Sequence, residues 1–218
     1  DALSEFNPIT GKHFLVNYHY LISKVSLNSE ESVSYRDISN RISKLWRMRD
    51  SNSDASELLE RLLEKRANLI RNAEEKYYEL ERILDNLSEK GPVDNLIVFV
   101  SPQQITEVMN ILARKDIIFH KLTEKEGVKP EKRFGGISER EHIISKFKSK
   151  EYQAIVAIKC MDEGIDIPTA DIGILMASST NPREYIQRVG RIIKQAPGKR
   201  FAHVYDICVD TISLLEGE

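Results

Sequence analysis

The stretch LIVFVSPQQITEVMNILARK at residues 96–115 decides the fold class, because an apolar run is followed directly by an amphipathic one. The five residues 96–100 are all apolar, and a run of that length predicts a strand buried on both faces. The next apolar residues recur at helical spacing: Ile105, Val108, Ile111 and Leu112. The stretch therefore predicts a strand and then a helix over residues 104–115, which is a first βα unit.

The same alternation continues toward the C-terminus. Short apolar runs predict further strands at 117–120, 154–158, 172–176 and 202–207. Amphipathic runs predict helices at 138–148 and from residue 182. Strands that alternate with helices are typical of an α/β fold, in which helices flank a parallel sheet. Glycines and prolines between residues 121 and 137 predict a flexible surface loop there.

The first ninety residues show a different pattern. Apolar residues recur at helical spacing from residue 56 to 87 without an internal glycine or proline, which predicts long helices. A coiled-coil partner is one interpretation of this repeat. Arg66 and Ala73 fall at core-like positions, which favours packing against the chain's own domain. The run SLNSEE at 26–31 predicts a capped helix start after a short strand.

Composition limits the classes of function. The 218 residues include 32 basic and 34 acidic side chains, so the net charge of -2 excludes a uniformly basic coat for nucleic acid. Cys160 and Cys208 lack metal-ligand spacing, which predicts free thiols and no metal site in this chain. No apolar run reaches the roughly 20 residues that span a bilayer. We therefore expect a cytoplasmic protein that makes no membrane contact.

The helix that begins near Pro182 shows two opposite faces. Asn181 can act as its N-cap, and Glu184 completes a capping box. One arc of the helical wheel holds long polar side chains: Glu184, Gln187, Arg188, Arg191 and Lys194. The opposite arc holds Tyr185, Ile186, Val189, Ile192 and Ile193. This pattern predicts a buried face and a face for an anion, although an ordinary solvated basic face is the alternative.

A second motif, VAIKCMDEGIDIP at residues 156–168, favours the anion-binding interpretation. Gly164 permits a close approach of the backbone to a ligand, and Asp166 offers a carboxylate that can accept hydrogen bonds from hydroxyl groups. Taken alone, this motif also fits a simple turn after a strand.

Together the two runs resemble motifs V and VI of superfamily 2 helicases and translocases. The resemblance implies a RecA-like domain and a nucleotide site at its edge. It implies that Gly164 lies near the terminal phosphate of ATP and that Asp166 binds the ribose. Gln187 would orient the attacking water or bond the phosphate. Arg191 matches the arginine finger, and Arg188 would pair with acidic groups of the other domain.

The resemblance also implies contacts with nucleic acid. It places Lys159 and Cys160 near the nucleic-acid backbone. Ser101 follows the first strand, where relatives have a contacting loop, although a plain strand-to-helix turn is an equal alternative. Arg140 has a counterpart near the bound strand in some relatives, whereas a lone arginine on a helix is more often solvated. Lys194 replaces a second arginine, and its contact with ATP is left open.

Two motifs of a complete ATPase do not occur in the sequence: a Gly-x-x-x-x-Gly-Lys-Ser/Thr loop and an acidic box for magnesium. We therefore expect the C-terminal part of a longer protein. Residues 1–72 would hold the end of a first RecA-like domain and a helical connector, and residues 73–218 a second RecA-like domain. The N-terminal RecA-like domain would supply the magnesium ligands. The chain alone is expected not to hydrolyse ATP.

The overall pattern is most similar to the restriction-subunit and excision-repair branch, a DEAD/DEAH-type group. This resemblance implies an ATP-dependent helicase or translocase that acts on double-stranded DNA. An RNA helicase of the same superfamily and a non-catalytic RecA-like interaction module are the alternatives. A dinucleotide-binding Rossmann domain is disfavoured, because no Gly-x-Gly-x-x-Gly follows a strand.

Overall fold

The computed structural model describes residues 15–46, 53–158, 170–177, 182–196 and 198–211. The elements, in chain order, are β1 (Asn17–Val25), α1 (Ser29–Trp46), α2 (Ser53–Arg71), α3 (Glu75–Ser88), β2 (Leu96–Phe99), α4 (Ile105–Arg114), β3 (Phe119–Leu122), β4 (Pro130–Glu131), β5 (Ile137–Ser138), α5 (Glu139–Lys148), β6 (Ala154–Ala157), β7 (Ile172–Leu175), α6 (Pro182–Ile193) and β8 (Phe201–Val209).

Six of these strands form one parallel sheet in the order β1-β8-β7-β2-β6-β3. The predicted α/β class is confirmed. β3 begins at Phe119, two residues later than predicted, because Ile117 closes the end of α4. The Ile117 amide donates to the carbonyl of Leu112 at 3.0 Å, and Asp116 takes a positive φ of 54°. Ile117, the first apolar residue of the predicted strand, therefore belongs to the turn that ends α4.

The sheet is buried on both faces, and β2 shows why. Ile97 and Phe99 pack on one side with residues of α5 and α6. Leu96 and Val98 pack on the other side with residues of α3 and α4. Alternate side chains of a strand point to opposite faces, so a continuous apolar run fills two cores at once. The result is a three-layer arrangement of helices, sheet and helices.

β1 is an edge strand of this same sheet, where it pairs in parallel with β8 over nine residue pairs. Residues 17–25 are thus joined by backbone hydrogen bonds to the part of the chain assigned to the second domain. Next to β1, α1 and α2 pack as a helical pair through Ile38, Ile42, Leu59 and Leu62. The division of the chain into two domains at residue 72 stays a prediction.

Two regions differ in detail from the sequence-based expectation. The helical run at 56–87 is split between α2 and α3 at Asn72, whose side-chain amide donates to the Asn68 carbonyl at 2.8 Å. Such a bond competes with the helical ladder and helps end the helix. The loop at 121–137 contains a two-stranded antiparallel ribbon, β4 and β5. Gly135 and Gly136 make its turn with φ values of 71° and 88°.

Two further observations bear on the compositional expectations. No helix within the described ranges combines the length and apolar character needed to cross a membrane. Cys208, on β8, forms no disulfide within the described residues, and Cys160 lies outside them.

Gly173 on β7 sets how closely α6 approaches the sheet, which yields a stability prediction. A Cβ at Gly173 would lie 2.0 Å from Cδ1 of Ile192. Gly173→Ala should therefore destabilise the chain by about 1–3 kcal/mol through overpacking. Apart from the backbone of α6 itself, no atom of the described residues lies within 4 Å of the position that a methyl group added at Gly190 on α6 would take. Gly190→Ala should stabilise the chain by roughly 0.5–1 kcal/mol through helix propensity.

Denaturant unfolding of the purified chain measures both changes. Ile192→Val in the Gly173→Ala background should recover part of the lost free energy of unfolding, because it removes the atom nearest to the new methyl group. Equal effects of the two glycine substitutions would contradict this packing account.

Candidate functional site

The helix α6 forms where the sequence predicts it, and its apolar arc is largely buried. Val189, Ile192 and Ile193 are buried against the sheet. The prediction of a buried side chain is wrong for Ile186, which is 66% exposed. Ile186 lies one turn closer to the start of α6, beyond the residues that pack on the core.

Arg188 lies at the carboxyl edge of the sheet. Its Nη1 donates to the carbonyl oxygen of Ala177, just after β7, at 2.6 Å. Its guanidinium carbon lies 5.9 Å from the ring centroid of Phe99, the last residue of β2. A cation at this distance from an aromatic ring is attracted by the ring's π electrons. The predicted pairing of Arg188 with acidic groups of another domain stays a prediction.

Arg191 and Lys194 occupy the last part of the polar face. Arg191 is partly exposed one turn beyond Arg188, and the Lys194 side chain is exposed. The backbone of Lys194 forms an antiparallel bridge with Leu15. The end of α6 is thereby attached to the segment that leads into β1.

Lys199 links the end of α6 to Ala170, two residues before β7 begins. Its ammonium donates to the carbonyl oxygens of Ile192 and Ala170. Burial lowers the pKa of Lys199 to about 8, and the nearby Asp171 carboxylate partly offsets this. A cation at a helix C-terminus also interacts favourably with the helix dipole. Lys199 therefore joins the end of α6 to the segment that leads into β7.

Several predicted site residues lie outside the described part of the chain. These are Lys159, Cys160, Gly164 and Asp166 in the segment 159–169. The backbone of Gln187 belongs to α6, but its side chain is outside the described atoms, as are the N-cap Asn181 and the side chain of Glu184. Their roles stay predictions.

Ser101 follows β2 at the carboxyl edge of the sheet, but it is only 3% exposed. Its hydroxyl donates to Oδ1 of Asn72 at 2.5 Å and accepts from the Gln104 amide at 3.2 Å. The Gln104 side chain in turn donates to the Arg71 carbonyl at 2.9 Å. In this structure Ser101 therefore ties the β2–α4 turn to the break between α2 and α3.

Arg140 is 5% exposed on α5, so the interpretation as a merely solvated arginine is wrong. Its Nε donates to the carbonyl of Glu126 at 3.0 Å, and Nη2 donates to the carbonyl of Thr123 at 3.3 Å. The Glu126 carboxylate accepts from the Thr123 backbone and hydroxyl. Arg140 thus fixes the turn that follows β3 by hydrogen bonds to two of its carbonyl groups.

A cleft at the carboxyl edge of the sheet was not predicted from the sequence. The cleft has a volume of about 500 Å³ and lies where β2, β3 and β6 end. It is lined by Pro102, Ile105, Lys121, Thr123, Glu124, Lys125 and Ile158. Lys121 and Lys125 are exposed, so the surface formed by these seven residues is named the basic cleft. The available signal was positional, since carboxyl ends of neighbouring parallel strands meet at one edge, where open α/β sheets bind ligands.

Lys76 on α3 was also not predicted as a site residue, and it is only 2% exposed. Its Nζ donates to the carbonyl oxygen of Met176, at the end of β7, at 2.8 Å. Burial lowers the pKa of Lys76 to about 8, and Arg71 lowers it further, while Cys208 and Asp206 oppose the shift. A lysine in an otherwise apolar helix face gives no sequence signal of this contact.

Metal ligands are not gathered within the described ranges, where no group of three or more His, Cys, Asp or Glu could hold an ion. The cationic side chains at the carboxyl edge fit phosphate oxygens better than a cation.

A comparison with protein families matches residues 75–195, more than half of the chain, to the family described as "Helicase conserved C-terminal domain". The match spans α3 to the end of α6. It therefore contains the basic cleft and the α6 arginines.

Two curated relatives are similar to the chain over part of its length. The DNA 3'-5' translocase XPB2 of Sulfurisphaera tokodaii is 30% identical over 128 residues, 59% of this chain and 25% of the relative. The DEAD-box ATP-dependent RNA helicase 36 of Arabidopsis thaliana is 30% identical over 132 residues, 59% of this chain and 24% of the relative. The chain thus matches about a quarter of the length of these relatives.

Two solved structures share the fold. The C-terminal part of the Fun30 ATPase domain aligns with a TM-score of 0.57 at 14% identity, covering 93% of this chain and 89% of the other. The Sulfolobus solfataricus SWI2/SNF2 ATPase core in complex with dsDNA aligns with a TM-score of 0.61 at 18% identity, covering 87% of this chain and 41% of the other. The RecA-like sheet is therefore confirmed.

The buried ammonium of Lys76 yields a prediction on pH dependence. Its pKa is about 8 in the folded chain and 10.5 as the ordinary value, so between these values the unfolded chain binds the extra proton. The free energy of unfolding should therefore rise with pH across this window, relative to Lys76→Met. The free energy of unfolding of the parent minus that of Lys76→Met should increase by about 2 kcal/mol from pH 7 to pH 10.

Urea unfolding of both proteins at each pH measures this difference, and the subtraction removes the other groups that titrate in the same range. A difference that stays constant or shrinks as pH rises contradicts a lowered pKa.

Proposed function

The chain belongs to the family of helicase conserved C-terminal domains, and we propose that it is the C-terminal part of an ATP-dependent DNA helicase or translocase. The observation that supports this most directly is the position of α6. This helix begins at the carboxyl edge of a parallel sheet, the edge at which such sheets bind ligands, and it carries Arg188 at that edge, with Arg191 one turn further along the helix.

Arg191 is proposed to act on the nucleotide. Both arginines are partly exposed, and Arg188 donates to the Ala177 carbonyl beside the Phe99 ring. A guanidinium is permanently charged and can bind phosphate oxygens with two parallel hydrogen bonds. Arg191 would stabilise the charge that develops on the transferred phosphoryl group of ATP, as an arginine finger. Gly164, Asp166 and Gln187 would contact ATP from the same side.

The rest of the nucleotide site would come from an N-terminal RecA-like domain of the same protein. That domain would supply the phosphate-binding loop and the ligands of Mg²⁺. Binding of ATP would bring the two domains together, and hydrolysis would let them separate, so that the protein steps along a strand. The cytoplasmic location and the membership of the restriction-subunit and excision-repair branch belong to this proposal as well.

The basic cleft is proposed as the nucleic-acid contact. Lys121 is exposed on β3, and Lys125 is exposed on the turn after it, which Arg140 and Glu126 hold in place. Exposed ammonium groups at a fixed strand end suit a phosphate backbone, which requires charge but no base-specific contacts. Lys159 and Cys160 would contribute from the segment that follows β6, whereas the predicted contact of Ser101 would require its hydroxyl to leave Asn72. Contacts of this kind compensate for the slightly negative charge of the whole chain.

Double-stranded DNA is the proposed substrate. The translocase XPB2 acts on DNA by its name, and the similar SWI2/SNF2 core was solved with dsDNA. RNA is the second candidate, because the RNA helicase of Arabidopsis is equally identical over a similar length. A non-catalytic interaction module is a third candidate, which the effect of Arg191 on turnover would separate from an enzyme.

The first functional prediction concerns Arg191 in the intact parent protein. Arg191→Ala should lower the ATPase turnover number by about 10³, because a finger acts on the transition state. The KM for ATP should change much less. Lys194→Ala is the matched control on the same face and should have a milder effect, since its ammonium cannot form a bidentate contact.

Steady-state phosphate release with saturating DNA measures both variants, and a melting curve of each checks the fold. Turnover of Arg191→Ala within about threefold of the parent, together with an inactive Lys194→Ala, would reverse the roles assigned on this helix.

The second functional prediction concerns the basic cleft. Replacing both Lys121 and Lys125 with alanine in the parent should weaken binding to double-stranded DNA. The slope of log affinity against log salt should become less steep by about 0.9 for each lost phosphate contact. Lys65→Ala, an exposed lysine on α2, is the control and should leave the slope unchanged.

Fluorescence anisotropy at several salt concentrations gives the slopes, with duplex DNA and duplex RNA of the same sequence. Tighter binding to the RNA would favour the RNA helicase. Equal slopes for the double variant and the Lys65→Ala control would remove the cleft from the nucleic-acid interface.

A further inference from the structure

Two consecutive carbonyl groups after β7 are held by cations from opposite faces of the sheet. Lys76 on α3 donates to the carbonyl of Met176 at 2.8 Å, and Arg188 on α6 donates to the carbonyl of Ala177 at 2.6 Å. The amides of both residues donate to the carbonyl of Phe99, at 3.0 and 3.3 Å. The end of β7 is therefore fixed from three sides.

The presence of a lysine at this position is costly. Lys76 ranks among the largest fully enclosed side chains of the described residues, at 2% exposure, and its neighbours Leu80, Ile83 and Leu84 on α3 are apolar core residues. A methionine would fill much of the same volume without burying a charge. Packing alone therefore does not account for an ammonium here, and the carbonyl contact is what the lysine adds.

The groups around Lys76 are consistent with a fixed ammonium. Asp206 and Cys208 on β8 favour its charged form, and Arg71 at the end of α2 opposes it. The Asp206 carboxylate accepts a hydrogen bond from the Tyr20 hydroxyl of β1 and is itself buried. The groups that surround the ammonium thus come from β8, the neighbour of β7 in the sheet, and from the end of α2.

We propose that Lys76 is a positioning residue for the arginines of α6: by fixing the end of β7 it sets the place of the Ala177 carbonyl, and thereby of Arg188 and of Arg191 one turn further along. The proposal rests on the function proposed above, because its consequence is measured on ATP turnover. Lys76 itself makes no contact with the nucleotide in this account.

Removal of the ammonium has a definite structural consequence. In Lys76→Met the Met176 carbonyl loses its side-chain donor, and the buried carbonyl has to find another partner by moving. The Ala177 carbonyl is in the adjacent peptide unit, so it moves as well. Arg188 follows its acceptor, and a shift of α6 of the order of 1 Å would displace an arginine finger from its productive geometry.

The test compares Lys76→Met with Leu80→Ala in the intact parent protein. Leu80 is fully buried one turn away on the same helix and has no polar contact, so Leu80→Ala reports on loss of packing alone. We expect Lys76→Met to lower the ATPase turnover number at least about tenfold, with a KM for ATP within about threefold. Leu80→Ala should lower the melting temperature but keep the turnover number at a temperature well below melting.

A double-mutant cycle separates positioning from general destabilisation. Lys76 acts through Arg188 in this account, so Lys76→Met should have little further effect on turnover in an Arg188→Ala background. Additive effects of the two substitutions, or full turnover in Lys76→Met alone, overturn the proposal. A parent protein without ATPase activity would sink the proposed function as well, whereas an active parent with a fully active Lys76→Met would sink only this inference.

Discussion

The site depends on two hydrogen bonds, in which Lys76 and Arg188 donate to the backbone carbonyls of Met176 and Ala177. Met176 and Ala177 are both buried, and a buried carbonyl without a donor costs about 1–3 kcal/mol. Lys76 reaches the first carbonyl from α3, and Arg188 reaches the second from α6. One strand end therefore connects the helical layers on the two faces of the sheet. The polar face of α6 is held in place because its arginine takes part in this connection.

The depth of α6 on the sheet follows from a second local constraint. Gly173 on β7 has no side chain, which lets Ile192 fill the space above the strand. The helix thus packs closer than it could over any other residue type. Its C-terminal end is fixed further by Lys199, which bonds to the carbonyls of Ile192 and Ala170. Contacts with backbone carbonyls and close packing over Gly173 thus help to determine where the proposed catalytic face lies.

Much of the fold could be predicted from the sequence, because burial on both faces gives the strands unmistakable apolar runs. The strand at Leu96–Phe99 and the helix at Pro182–Ile193 are examples, and the superfamily is confirmed. Contacts between distant residues leave no periodic signal, so the partners of Arg140 and Lys76 could not be predicted. The exposed Ile186 was assigned wrongly, because helical periodicity does not tell where the sheet beneath a helix ends.

The central claim is that Arg191 stabilises the transition state of phosphoryl transfer at the edge of this domain. The most direct measurement is the affinity of the intact parent, with DNA bound, for ADP with aluminium fluoride and Mg²⁺, which mimics that transition state. We expect Arg191→Ala to weaken binding of this complex at least about 100-fold and to change the affinity for ADP alone less than about threefold. Equal losses for both ligands, or no loss for either, would contradict the claim.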